Sequence, residues 1–336
     1  MTDHKLMMPT YYLHQLADEL DKLQVDTNHW LASVGLNLKQ IDQPGQLISY
    51  RHFKKLISSS IILSGQSALG LKVGQRLGLT THGMLGYAII VSSCLRETIE
   101  LFSRYLNTRT PLLRVNLVCG PKTLKIELHE CYPLEDIKIP FLETAVLTLY
   151  NMLMQVTQNS ASIQSISFPF KQPSYIDFYR QIFSQPIQFD TKVTSISLSQ
   201  NGLDTPLPMA DPNSLTQAKL ICEQELTRLQ SQEEFQSRVR KYLLSHENQF
   251  PKLSCVAKYF HLSQRTLHRR LEENNSRYSE ILASVREYRA KELLSNSDLS
   301  IQQIASTLGY SDSANFRKAF KRWQSCSPRE FRSSCY

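Results

Sequence analysis

The sequence predicts two domains of different class: an α+β amino-terminal domain and an all-α carboxy-terminal domain of two helix-turn-helix motifs joined by a long helix. Three observations carry this. Helical and strand patterns alternate up to about residue 200. The stretch DTPLPMADPN (204–213), with three prolines, then interrupts regular structure. From 235 onward every pattern is helical, and one segment repeats itself. A chain of 336 residues is long enough to bury two cores. The expected division is 1–204 for the α+β domain, 205–232 for a linker, and 233–336 for the double motif.

Taken in order, PTYYLHQLADELDKL (9–23) and ISYRHFKKLISSSIIL (48–63) space their apolar residues by three and four and predict helices. CLRETIELFSRYL (94–106) puts Leu95, Ile99, Phe102 and Leu106 on one helical face. LLRVNLVCGPKTLKIELHE (112–130) alternates on both sides of Gly120-Pro121 and predicts a β-hairpin. A long helix is expected over 140–158, then a strand in ASIQSISFPF, a helix in PSYIDFYRQIF, and short strands in IQFD and TSISLS. Over 213–230, Leu215, Ala218, Cys222, Leu226 and Leu229 form an apolar stripe. Packing on its own domain and self-association of two chains, as a dimerisation helix, are both open readings of that stripe.

The repeat is the most informative feature. VAKYFHLSQRTLHRRL (256–271) and IASTLGYSDSANFRKAF (304–320) align Ala257, Phe260, Leu262 and Ser263 with Ala305, Leu308, Tyr310 and Ser311. The small alanine lets two helices cross closely, and the serine is expected to cap the second helix. Gly309 can supply the positive φ that ends the first helix of the second copy. In that copy Phe316, Ala319, Phe320 and Trp323 share an apolar face, while Ala314, Lys318, Lys321 and Arg322 lie opposite, flanked by Asn315 and Arg317. In the first, Leu267 and Leu271 point inward, Arg265 and Arg269 outward, with His268 at the edge. Between the copies, YSEILASVREYRAKELLS (278–295) predicts a helix roughly 25 Å long, with Tyr278, Ile281, Leu282, Val285, Leu293 and Leu294 buried.

Charge follows the same division. Residues 232–336 hold 18 Lys/Arg against 11 Asp/Glu, a net +7 of the chain's +8. A basic, amide-bearing face on each repeated helix is suited to the major groove of a polyanionic duplex, where Arg and Lys can read guanine and Asn adenine. Two such helices about 34 Å apart would meet successive major grooves on one side of the DNA.

These motifs, LSQRTLHRRL, SIQQIASTLGYSDSANFRKAFKRW and SPREF, resemble the AraC/XylS family of transcription regulators from Val239 to Arg332. The resemblance implies that Arg265, His268, Arg269, Asn315, Arg317 and Lys318 contact bases, and that Ser263, Gln264, Lys321 and Arg322 contact phosphate. This sequence departs from the family at Asn275 and Ser325, where glycine is usual. More weakly, LGLKVGQRLGLTTHGMLGYAIIVSSCLRETIELFSRYL (69–106) and YRQIFSQPIQFD (179–190) are similar to the effector domain of the ornithine-regulator-like branch, often labelled arabinose-binding-like. That segment is too helical for the jelly-roll sugar domain of the family's founding member, so arabinose is not implied. The expected partners are double-stranded promoter DNA, a small-molecule metabolite, RNA polymerase and a second copy of the chain. Activation is the expected sign, because the family mostly activates. A ligand-independent, architectural DNA binder is the alternative.

Other classes find little support. The chain has no GxGxxG, P-loop, HExxH or GxSxG, so no enzyme chemistry or cofactor beyond an effector is expected. His82 and His129 read as structural or surface histidines. Seven cysteines, scattered and never spaced as CxxC, suggest reduced, mostly buried thiols and no metal site. No run of about 18 apolar residues predicts a membrane span, and a cytoplasmic location is expected.

Overall fold

The computed structural model describes residues 6–334 apart from 11, 42, 44–45, 233–234, 247–249, 274–275, 298 and 325. Asn275, Ser325 and Cys335 therefore lie outside the described residues. The chain separates into two compact units, residues 1–229 and 230–336. The boundary falls inside the segment expected to be linker.

The first unit runs β1 (Met7–Pro9), α1 (Leu13–Lys22), α2 (Thr27–Ala32), α3 (Leu38–Ile41), β2 (Leu47–Ser49), α4 (Tyr50–Ser64), α5 (Leu69–Arg76), α6 (Gly83–Ile90) and α7 (Leu95–Tyr105). It continues with β3 (Leu113–Cys119), β4 (Thr123–Glu130), α8 (Lys138–Val156), β5 (Ile163–Ser167), α9 (Ile176–Ile182), β6 (Ile187–Gln188), β7 (Thr194–Ser199) and α10 (Pro212–Gln232). β1 and β2 form an antiparallel pair, and the other strands form a sheet of order β3-β4-β7-β5-β6. Among the described strands, β5 and β6 pair in parallel and the other pairings are antiparallel.

The alternation read in TLKIELHE buries Leu124, Ile126 and Leu128 on one face of β4. Ile126 faces Ile196, which faces Ile166, so one apolar row crosses three strands. The core continues between that face and α8, whose Leu142, Val146, Leu149 and Leu153 are fully or almost fully buried. α8 is long and apolar enough to cross a membrane, but most of its apolar side chains form this core. It also packs closely on α5: a Cβ on Gly70 would stand 2.3 Å from Pro140 O, so only glycine fits there.

The stripe on α10 packs inward. Leu215, Ala218 and Cys222 join the first unit's core, with Leu226 partly buried against it. The cysteines depart from expectation: of the six described, all are free and only Cys222 is buried. Cys119 ends the edge strand β3 and Cys255 lies in the first turn of a surface helix, so both are exposed.

The second unit is wholly helical among its described residues: α11 (Phe235–Leu244), α12 (Leu253–Tyr259), α13 (Gln264–Glu273), α14 (Tyr278–Asn296), α15 (Ile301–Thr307), α16 (Ser313–Gln324) and α17 (Pro328–Ser334). It has two cores. Val239, Leu243, Val256, Ala257, Leu267 and Leu271 make one; Ile304, Ala305, Leu308, Phe316 and Phe320 make the other. α14 serves both, giving Tyr278, Ile281 and Val285 to the first and Ala290 and Leu294 to the second. Leu282 and Leu293 are only partly buried, because they sit at the margins of that split face. The SPRE of SPREF is a capping box: Glu330 accepts from Ser327 N at 2.7 Å and Ser327 Oγ from Glu330 N at 3.2 Å. It starts α17 so that Phe331 meets Phe320, ring centres 5.4 Å apart.

Candidate nucleic-acid interface

α12 and α13 form the first helix-turn-helix, α15 and α16 the second. In each, buried alanine (Ala257, Ala305) sits on the supporting helix, and Leu267 and Leu271 or Phe316 and Phe320 anchor the second helix from below. The opposite face is left to solvent. Ser263, Gln264, Arg265, His268 and Arg269 are all exposed, as are Asn315, Arg317, Lys318, Lys321 and Arg322. The ten residues thus fall into two exposed groups, one on each motif, and none is drawn into a core.

The turns that set these helices are alike but not identical. Gly309 has φ +73°, as its position after α15 requires, and His261 at the same place in the first copy has φ +53°. Histidine tolerates that left-handed geometry better than most side chains. Ser263 caps the first recognition helix, its Oγ accepting from Thr266 N at 3.1 Å. Ser311 does not cap the second. Asp312 Oδ1 accepts from Asn315 N at 2.7 Å instead, because the residue inserted in this copy moves the helix start one place along. A carboxylate at an N-terminus also suits the helix dipole.

Two exposed side chains are occupied within the motif. Asn315 Nδ2 donates to Asp312 Oδ2 at 2.8 Å and to Ser311 Oγ at 3.2 Å. Arg269 Nε lies 3.6 Å from Glu273 Oε1. Both contacts are at the surface, where such pairs contribute little and exchange readily for a ligand.

What holds the motifs to their joining helix was not visible in the sequence. Arg286 on α14 donates Nε to Leu308 O at 2.8 Å and Nη2 to Gly309 O at 3.2 Å, and stacks over Tyr310 at 4.8 Å. It closes the end of α15. Arg289 Nη2 donates to Leu244 O at 3.0 Å, closing the end of α11, a helix of the first core. Arg286 and Arg289, three apart on a helix that also carries Glu280, Glu287, Lys291 and Glu292, gave no distinct signal. α14 thus holds the ends of α15 and α11 by charged donors on terminal carbonyls.

Comparison with known proteins agrees with this geometry. Residues 25–207, over half the chain, match the model of the arabinose-binding domain of AraC transcription regulator, N-terminal. Residues 256–334 match a helix-turn-helix domain. The chain belongs to the AraC family of transcription regulators. It is similar to an ornithine utilization regulator of Pseudomonas aeruginosa, 28% identical over 98% of this chain and 97% of that one. The regulator VqsM of the same organism is 25% identical over 79% and 83% of the two chains. The crystal structure of transcriptional regulator CdpR, also from Pseudomonas aeruginosa, aligns over 94% of this chain and 98% of that one, with 22% identity and a TM-score of 0.45. The regulator is thus a DNA-binding protein with an amino-terminal ligand-binding domain, and not an enzyme.

Two buried ionisable groups in that domain also escaped the sequence reading as sites. Glu143 of α8 is fully buried; its Oε1 accepts from Tyr175 at 2.8 Å and Tyr179 at 2.5 Å. Burial pushes its carboxyl up to about 7 against the pull of the two hydroxyls. It is the one acidic residue in α8, which was the signal. His82 is buried too, and burial with the nearby charge of Arg109 pushes it down to about 4. His129 is partly exposed and pairs with Glu127 at 3.0 Å.

Proposed function

We propose that the regulator reads two successive major grooves of promoter DNA with α13 and α16, under control of a small-molecule effector held in its first unit. Arg265, His268, Arg269, Asn315, Arg317 and Lys318 take base edges; Ser263, Gln264, Lys321 and Arg322 take phosphates. The single observation that carries this is the exposure of all ten, on two helices whose apolar faces are anchored and whose starts are capped. The name of the similar ornithine utilization regulator makes ornithine the first effector to test.

The reading extends to activation through RNA polymerase, to a cytoplasmic location and to a homodimer. Leu220 and Ile221, exposed on α10, support pairing through that helix. Light scattering reads the dimer, and a promoter–reporter fusion reads the sign of regulation.

The deciding experiment is fluorescence anisotropy with promoter and bulk DNA across salt. Arg269→Ala should cost about 1–3 kcal/mol on the specific site and relax preference at one base pair. Lys321→Ala should weaken every sequence alike and reduce the log–log salt slope by about 0.9. Equal effects of both variants on specific and bulk DNA would favour the architectural alternative.

A further inference from the structure

In the first unit, segments distant in sequence meet at a buried polar cluster, which reaches α10 through Arg109. His82 is 4% exposed and lies at the end of the 3-10 turn Leu79–His82. Its Nδ1 is 2.8 Å from Tyr12 Oη, and its Nε2 is buried without a hydrogen-bond partner among the described residues. Arg109, 5% exposed, donates Nη2 to Glu225 Oε2 at 2.7 Å. The residue after His82 is Gly83, where a Cβ would stand 3.7 Å from Arg109 Nη1, so the backbone that carries His82 runs beside the guanidinium.

The chemistry of the cluster is that of an incomplete anion site. His82 is neutral at ordinary pH, since burial and then the Arg109 charge push it down to about 4. In the tautomer in which the Tyr12 hydroxyl donates to Nδ1, the ring proton sits on Nε2. That leaves a buried N–H without an acceptor, a rare arrangement in native proteins. A guanidinium beside it already holds one carboxylate, an acceptor that matches its planar fork.

We propose that this cluster is the subsite for a carboxylate-bearing effector: the ligand's carboxylate accepts from His82 Nε2 and replaces Glu225 on Arg109, loosening α10. The proposal deepens the effector reading above and rests on it. α10 is also held by Glu223, which takes Arg104 and Tyr105 at 3.0 Å, and by Lys219 on Glu97 at 2.6 Å. Those pairs are more exposed than Arg109–Glu225 and correspondingly weaker. The Arg109–Glu225 pair is the buried one, with Glu225 17% exposed and near enough to the surface to turn outward. Its exchange is therefore the change to which α10 responds most. α10 is also the helix in which the chain passes from the first unit to the second, at residue 229.

The test is thermal unfolding of the full chain with matched acids and amides: acetate and acetamide, succinate and succinamide, and the L-amino acids with their amides. At least one acid should raise Tm by ~2 °C or more while its amide does not. His82→Asn, which removes the donor at the ε position, should abolish the shift, and His82→Gln, which restores an N–H there, should recover part of it. Glu225→Gln should tighten the same acid by about fivefold or more, since the ligand no longer displaces a charged competitor. Unliganded melting and promoter binding report whether each variant folds. Should His82→Asn not fold, Tyr12→Phe takes its place, with a weakened shift expected. An amide as effective as its acid would leave the effector reading standing and overturn the carboxylate subsite. An acid shift that survives His82→Asn in a folded protein would put the site elsewhere and overturn it as well. No shift with any compound would overturn the carboxylate subsite and leave the effector reading to ligands of other chemistry.

Discussion

Asp312 and Glu143 show how a single side chain sets a local outcome. Asp312 caps α16 through Asn315 N, and the serine beside it, equivalent to the cap of the first motif, does not. Asp312→Ala should destabilise the second unit by about 1 kcal/mol, whereas Ser311→Ala should be near neutral; chemical denaturation measures both. Glu143 is held protonated by burial, with a folded value of about 7 against an ordinary 4.5. An acid whose folded value is raised contributes stability below its unfolded value and loses it as pH rises to the folded one. Stability should therefore fall between pH 4.5 and 7 by about 3 kcal/mol from this group. Glu143→Gln should remove that fall, read as the pH dependence of Tm. His82 works in the opposite sense, losing stability as pH falls from 6.5 to about 4, so the variant's profile should decline only on the acid side.

Among elements, α14 is decisive, because each module's core is completed by a different end of it. Arg286 ties its middle to the carbonyls that α15 leaves open. Arg286→Ala should cost about 2 kcal/mol, the range for a hydrogen bond to a charged group. Amide hydrogen exchange should quicken in α15 and α16 and change little in α12 and α13. Equal loosening of both motifs would mean that the arginine stabilises the unit as a whole rather than one module.

On the scale of the whole molecule, the division into an α+β unit and a helical unit was legible because periodicity and charge both change along the chain. The double motif was legible because it repeats, and a repeat shows which face is apolar without any knowledge of packing. The outward placement of Arg265 or Lys318 follows from that. Less could be read where partners are remote: nothing near Arg286 in sequence points to Leu308, and nothing near Arg109 points to Glu225. The stripe of α10 was ambiguous for the same reason, since apolar spacing says that Leu215 and Cys222 are covered but not by what. Short elements such as α2, α3 and the β1–β2 pair escaped because too few residues carry a period. Glu143 stood out only in retrospect, as a carboxylate within an apolar stretch, and His82 was read as structural or surface without sight of Tyr12 and Arg109.

The central claim is that two outward helices read one side of one duplex. Hydroxyl-radical footprinting of the full chain on its promoter tests it most directly. Two protected windows centred about 10–10.5 base pairs apart on the same face are expected, with the distal or proximal window lost separately in Arg269→Ala and Lys318→Ala. A single window, or two on opposite faces of the duplex, would contradict it.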